Sequence, residues 1–393
     1  MGLIAAIVGL ALLVLIHEAG HFFAARAVGM TPRKFYLGFG PPIVRRVRNG
    51  VEYGIGSVPL GGYVKIPGMS RPSPGDLTRQ LPEDEARRHQ VELARLDRAL
   101  EAGDEETARA VLRALQPELG GRRAWQELDG ALAADAYWRH HTWRRLVAIG
   151  AGPAINIAFA LVLFVSLFLV ATVHTTRRVA GVVPGSPAAS AGLHTGDVVL
   201  RVAGRPVTGD DLARTIRSTR GRPFTLVVRR DGAVRRIGPV RAKLEGGYYR
   251  IGIQIGAVQG PGESLGAAVG DGTRATWNVV AGTAAAIGHL VQGRDRNQVS
   301  STVGIVQESA AAWRQGLLSF LTAFAYISLA LGVMNLLPLL PLDGGHIVMA
   351  LIEKVRGRTF GQGVYIRYSV AGLALLLIVM YIGLTNDIRR LGG

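Results

Sequence analysis

The chain contains no cysteine. That excludes a disulfide framework and every thiolate metal site, so a bound metal has only His, Asp or Glu to hold it. Carboxylates are scarce too: 28 Asp and Glu face 45 Lys and Arg in 393 residues, a formal charge of +17. A balance this basic would suit nucleic acid, but no base-stacking platform or DNA-reading motif accompanies it, so nucleic acid is not expected as a partner. Anionic lipid and the bias of basic residues toward cytoplasmic loops explain the charge more simply. The few acids are also unevenly spread. Of the 28, 14 fall between Asp76 and Asp135, which marks a locally acidic module inside a basic protein.

What the chain has in abundance is apolar sequence: 49% hydrophobic residues and a mean hydropathy of +0.26. Four stretches approach or exceed the roughly 20 residues needed to cross a bilayer. They predict membrane helices over 2–27, 145–173, 317–352 and 366–386, the third long and interrupted. No basic stretch precedes the first, and its apolar run continues through the only candidate cleavage zone, so a membrane helix is expected there rather than a signal peptide. Arg26, Arg33 and Lys34 follow the first span, Arg139, Arg144 and Arg145 precede the second, and Lys354, Arg356, Arg358 and Arg367 separate the third from the fourth. Arg177, Arg178, Arg314, Arg389 and Arg390 argue the other way. The balance places residues 28–144 in the cytoplasm and both termini outside.

Between the first two spans, "VEYGIGSVPLGGYVKIPGM" alternates apolar and small residues with turn signals, predicting a hairpin or sheet within 35–70. Residues 71–141 read as a charged helical insertion, its helical period suggesting two soluble helices. Residues 178–258 read as an α+β module, followed by a helical region over 259–316. Within the module, "AGLHTGDVVLRVAGRPV" resembles the signature of bacterial PDZ domains, with Ala203 in place of the usual Asn. Gly192, Gly196 and Gly204 stand where its turns need positive φ. PDZ domains bind extended peptide ends by strand addition, which implies peptide termini as partners here.

The first span carries His17-Glu18-Ala19-Gly20-His21. On a helix the two imidazoles are one turn apart and face the same way, so they can share one Zn²⁺. The adjacent Glu18 can then take a proton from water whose pKa the metal lowers to about 7. Two core histidines and a buried Glu would give the same string in a soluble chain. Within a membrane span that reading weakens, because ionisable groups at that depth cost on the order of 2.5–3.5 kcal/mol each on insertion scales and are functional by default. A catalytic zinc needs a third protein ligand and an open position. No such ligand follows His21 locally. In the third span Asp343 is the only carboxylate, with His346 as the rival; a His-His-carboxylate set is preferred. Pro338, Pro341, Gly344 and Gly345 break the helix around Asp343, and lipid tolerates such backbone only where it is buried or lines a wet cavity.

These motifs together resemble the site-two family of intramembrane zinc proteases: H-E-A-G-H, Gly152-Pro153 with Asn156, and Asn335 and Pro338 leading into Leu342-Asp343-Gly344. "YLGFGPPIV", "GVMNLLPLLPLDGGH" and "ALIEKVRGR" are similar to its bacterial RseP-like branch. The resemblance implies an α-helical polytopic protein of the bacterial plasma membrane, with a re-entrant β element and an extracytoplasmic PDZ domain. It implies zinc on His17, His21 and Asp343, Glu18 as general base, and Gly152, Pro153 and Asn156 as supports. Asn335 and Pro338 would help hold an opened substrate helix, and Gly61, Gly62 and Tyr63 lie in the β element that would pair with it. The substrates implied are single-span membrane proteins such as anti-sigma factors or remnant signal peptides. One PDZ domain stands where the branch can carry two, and the 76–140 insertion is not a general family feature. Two other readings stand beside this one: a membrane-anchored zinc protease acting on soluble or misfolded chains, which needs a third ligand from a water-exposed segment, and a catalytically inert PDZ scaffold.

Overall fold

The computed structural model describes residues 1–245, 248–292 and 301–391. Residues 246–247 of the expected α+β module and 293–300 of the expected 259–316 region lie outside the described residues. The chain divides into two compact units, one of residues 1–164 and 274–393 and one of residues 165–273.

The first unit holds the membrane helices. Helix α1 (Gly2–Ala27) is followed by a sheet of two long, bent strands, β1 (Lys34–Arg48) and β2 (Val51–Lys65). Their tip is Asn49-Gly50, both at positive φ (51° and 75°), as a tight hairpin turn requires. The register is richer than a hairpin. Phe35 faces both Tyr53 and Val64, and Leu37 both Ile55 and Gly62, while Val44 to Arg48 pair with Ile55 to Val51. Each strand is used twice, so the segments around 58–65, 34–39, 51–56 and 42–48 lie side by side. The Val58–Lys65 segment is left on one edge.

Residues 83–132 form five short helices, α2 (Glu83–Arg88), α3 (Gln90–Ala102), α4 (Glu105–Ala114), α5 (Gln116–Leu119) and α6 (Arg123–Leu132), not the two that helical period suggested. The breaks have local causes. Gly103 ends α3 in the left-handed region at φ 71°, and Asp104 caps α4 by accepting from the Thr107 amide at 3.0 Å. Pro117 and the Gly120-Gly121 pair stop continuation into α6. Leu77, Leu93, Leu96, Leu112, Leu119 and Leu128 make a core of their own. Trp125 joins it, its indole donating to the Leu112 carbonyl at 2.9 Å.

Helix α7 (Thr142–Val170) contains Pro153. The second unit follows: β3 (Ala171–Val182), α8 (Pro187–Ser190), β4 (Val198–Val202), β5 (Arg205–Pro206), α9 (Gly209–Ser218), β6 (Phe224–Arg230), β7 (Ala233–Val240), β8 (Lys243–Glu245), β9 (Tyr248–Arg250) and β10 (Ile253–Pro261). Its main sheet runs β10-β3-β4-β6-β7 with β5 on β4, leaving β10 at an edge. Val179, Val199, Leu212, Leu226, Val228 and Ile251 fill the core. Gly192, Gly196 and Gly204 take φ of 85°, 95° and 78°, and Ala203 takes 51° beside them. A cleft of about 500 Å³ is lined by Ala213, Ile216 and Arg217 of α9 and by Ile251, Ile253 and Ile255.

Helices α10 (Leu265–Val291), α11 (Thr302–Gln315), α12 (Leu317–Asn335), α13 (Asp343–Arg356) and α14 (Gln362–Leu391) complete the chain. Four helices are long and apolar enough to cross a membrane: α1, α7, α12 and α14 over Gln362–Ile388. The third expected span is thus two helices, because Pro338 and Pro341 interrupt it and α13 begins afresh at Asp343. Small residues let these helices approach closely. A methyl on Gly9 would meet the Phe324 ring at 2.8 Å, and one on Gly332 the Pro153 carbonyl at 2.9 Å.

Candidate metal centre

Three helices of the first unit converge on one point. His17 and His21 come from α1 and Asp343 is the first residue of α13. His17 Nε2 and His21 Nε2 lie 3.2 Å and 3.3 Å from Asp343 Oδ2, and 3.3 Å from one another. A tetrahedral zinc with bonds of about 2.0–2.1 Å separates its ligand atoms by roughly 3.3–3.4 Å, so this near-equilateral triangle has the dimensions of three ligands around one ion. Asp343 Oδ2 is buried and has no hydrogen-bond donor of its own, as an atom reserved for a metal would be. His17, His21 and Asp343 are the one group of three or more His, Cys, Asp or Glu among the described residues that could hold a metal ion. No acid of the 76–140 segment joins it. His346 does not join it either; its ring stacks on Tyr365 at 6.0 Å between centroids.

Helix α7 sets the imidazoles. His21 Nδ1 donates to the Ala148 carbonyl at 3.0 Å, which leaves Nε2 with its lone pair toward Asp343. Pro153 lacks the amide hydrogen that would close the turn from Ile149, so α7 is loosened just where it meets α1. Gly152 makes room for the histidine: a methyl there would overlap His21 Nε2. From the other side, a methyl on Gly20 would meet the Ala151 carbonyl at 2.7 Å. The amide of Asn156, wholly buried, lies 3.5 Å from His17 Nδ1. The atom facing Nδ1 is the amide nitrogen, and Oδ1 has no partner among the described residues; with the amide turned over, Oδ1 would accept the Nδ1 proton that remains when Nε2 is given to the shared centre. Ser328 on α12 donates to the Asn156 backbone carbonyl at 2.9 Å and ties that helix in.

Glu18 is buried beside the triangle and interacts electrostatically with His17, His21 and Asp343. The β2 edge covers it. A methyl on Gly62 would meet Glu18 Cγ at 2.9 Å, and the Val64 backbone amide faces the carboxylate. Gly61 takes φ 78° against the Phe39 ring, and Tyr63 stacks on Tyr36 at 5.2 Å between centroids. Of the three, Gly62 lies against the acid, while Gly61 and Tyr63 flank it in the strand and pack on Phe39 and Tyr36. Asn335 ends α12 with its amide donating to Leu331 of its own helix at 3.0 Å, and Pro338 is exposed on the connection to α13.

Sequence reasoning missed two features. The Ala148 carbonyl is a backbone acceptor, and no residue type advertises one. In the sequence Arg145 is only one of the basic residues that indicate topology, yet it forms a buried ion pair with Glu353 of α13. Its one signal was an arginine at the mouth of an apolar span.

Apolar helices enclosing a two-histidine, one-carboxylate cluster beside a glutamate define a multi-pass membrane metalloprotease. A profile of Peptidase family M50 matches residues 5–379, and the chain belongs to that family. It is similar to the metalloprotease MmpA of Caulobacter vibrioides, 30% identical over 97% of this chain and 94% of that protein. It is similar also to the zinc metalloproteases RasP of Bacillus licheniformis and of Oceanobacillus iheyensis, 26% and 27% identical, each over 96% of both chains. The chain is a zinc metalloprotease, and zinc is its metal.

Proposed function

We propose that the protein is an intramembrane endopeptidase of a bacterial plasma membrane, cutting single-span membrane proteins in or near their spans. Anti-sigma factors and remnant signal peptides are the substrate types we assign to it. His17, His21 and Asp343 hold the zinc and Glu18 is the general base. The observation that carries this reading is the triangle of donor atoms beside Glu18, with both histidines and Glu18 on a helix long and apolar enough to span a bilayer. When bound, zinc supplies Lewis-acid polarisation and lowers the pKa of water at the site. Glu18 accepts a proton at its carboxylate from the attacking water and returns it to the leaving nitrogen. Gly152, Pro153 and Asn156 keep the imidazoles oriented.

A substrate helix hides its peptide bonds and must be opened before it is cut. The Val58–Lys65 edge, where Gly62 lies against Glu18 between Gly61 and Tyr63, suits an extended segment added as a further strand, and this β element would re-enter the membrane to meet it. To Asn335, at the end of α12, and Pro338, on the connection to α13, we assign the holding of the opened segment. The second unit acts as a PDZ domain outside the cytoplasm, its β10 edge and adjoining cleft receiving peptide ends. Residues 28–144 face the cytoplasm.

The test uses a tagged single-span substrate co-expressed with the wild type or with Glu18→Gln. Cleavage within the span should fall at least 100-fold in the variant, the scale of general-base loss; persistence would refute the assignment. In the purified protein, Asp343→Asn should sharply reduce bound zinc while His346→Ala leaves it unchanged.

A further inference from the structure

The helices that supply and orient the metal ligands meet a second time, at a buried ion pair. Arg145 stands one turn before Ala148 on α7, and Glu353 lies on α13, the helix that Asp343 begins. Their side chains are only 4% and 3% exposed. The Arg145 guanidinium also lies 4.6 Å over the Tyr137 ring. The other Glu353 oxygen accepts from the Phe360 amide at 2.7 Å and the Tyr365 hydroxyl at 3.3 Å. Both Glu353 oxygens thus have partners from outside α13.

Stability does not explain such a pair. Desolvating two charges costs about what their attraction returns, and apolar residues of similar volume often pack as well or better. The best-attested use of a buried pair is to fix register. The apolar side chains of α13, Ile347, Met349 and Ala350, are non-directional contacts and specify register less sharply than a hydrogen-bonded ion pair. A slip of one helical turn moves a residue by about 5.4 Å. That would carry Asp343 Oδ2 away from nitrogens now 3.2 Å and 3.3 Å distant. Helix α7 is itself tied to His21 through Ala148, so fixing α13 on α7 fixes the carboxylate on the histidines.

We propose that Arg145 and Glu353 are positioning residues for the metal centre, locking the register of α13 so that Asp343 meets His17 and His21. The 71–141 segment braces that lock. Tyr137 lies under the guanidinium, Arg71 bridges to Gly361, and Gln362 bonds Gln80 at 3.3 Å and Glu127 at 3.4 Å. The insertion thereby acquires a role in holding the α13–α14 connection.

The inference rests on the assignment of zinc to His17, His21 and Asp343, and its test separates the two. Full-length protein in detergent is prepared as wild type, Asp343→Asn, Arg145→Met/Glu353→Met and Glu353→Gln. Zinc affinity is read by chelator competition, and fold by thermal unfolding of the metal-free form. The double variant should unfold at or above the wild-type temperature yet bind zinc about 10–100-fold more weakly, the cost of losing a group that orients ligands. A double variant that folds and holds zinc like the wild type overturns the proposal. If it does not fold, Glu353→Gln, which keeps the volume and removes the charge, decides between the same two outcomes. Zinc retained by Asp343→Asn would refute the ligand assignment instead.

Discussion

Gly152 carries no side chain, and the metal centre depends on that. The His21 ring occupies the space where its Cβ would be, while the Ala148 carbonyl of the same helix holds the far nitrogen at 3.0 Å. In Gly152→Ala the methyl and the imidazole cannot both keep their places. The flexible partner is His21, because Gly152 is fixed in α7. The ring should rotate off the shared centre, lowering zinc affinity at least about tenfold with little change in helix content, since Ala is the better helix former. Metal analysis after dialysis, alongside circular dichroism, checks both halves. Zinc bound as in the wild type would mean that α7 yields instead of the ring. At this scale the sequence is legible where chemistry is local. His17, Glu18 and His21 form a pattern within one turn, and Asp343 stands out as the only carboxylate of its apolar stretch. The Ala148 carbonyl and the Arg145–Glu353 pair have no such signature, because one is backbone and the other joins helices remote in sequence.

Among the elements, legibility follows the same division between local and distant. The apolar runs declared helices α1, α7, α12 and α14 because length and composition suffice for a membrane span. The β element was readable as strands and turns, but its double use of each strand was not, since Phe35 pairing with both Tyr53 and Val64 is a tertiary choice. The insertion's charge pattern gave helical period without showing how many times Gly103, Pro117 and Gly120 would stop it. Strand β4 shows how one charge steadies an element. Burial would raise the carboxyl of Asp197, at the strand's head, but hydrogen bonds from Arg230 at 2.7 Å and from the His194 amide outweigh it and hold the pKa below the usual range. A carboxylate with a depressed folded pKa adds stability above its unfolded value, and that contribution is lost as pH falls through the folded value. The second unit should therefore lose stability progressively below about pH 4. Asp197→Asn should unfold several degrees lower at neutral pH and converge with the wild type in acid. Hydrogen exchange of the β4 and β6 amides at both pH values measures this; an equal gap in acid would assign the effect to packing.

For the molecule as a whole, the missing cysteines turn topology into a direct measurement. Four candidate spans with basic residues gathered at 26–34, 139–145 and 354–367 support the topology proposed above, in which residues 28–144 and the α13–α14 connection would face the cytoplasm. Under that proposal the parity of the spans would put residues 171–261 and both termini on the other side. This arrangement matters for mechanism: residues that brace α13 through Glu353 would face the cytoplasm, and peptide ends would be received by β10 outside it. Because no native thiol competes, a single cysteine reports its side alone. Glu101 on α3 and Arg235 on β7 are both exposed, so neither substitution disturbs a core. In sealed right-side-out vesicles a membrane-impermeant maleimide should label Arg235→Cys at once, and Glu101→Cys only after permeabilisation. The reverse order would invert the topology, and with it the assignment of the insertion to the cytoplasm. Labelling of both in sealed vesicles would mean that an odd number of spans does not separate them, which would remove α7 from the membrane and leave the metal centre without one of its walls.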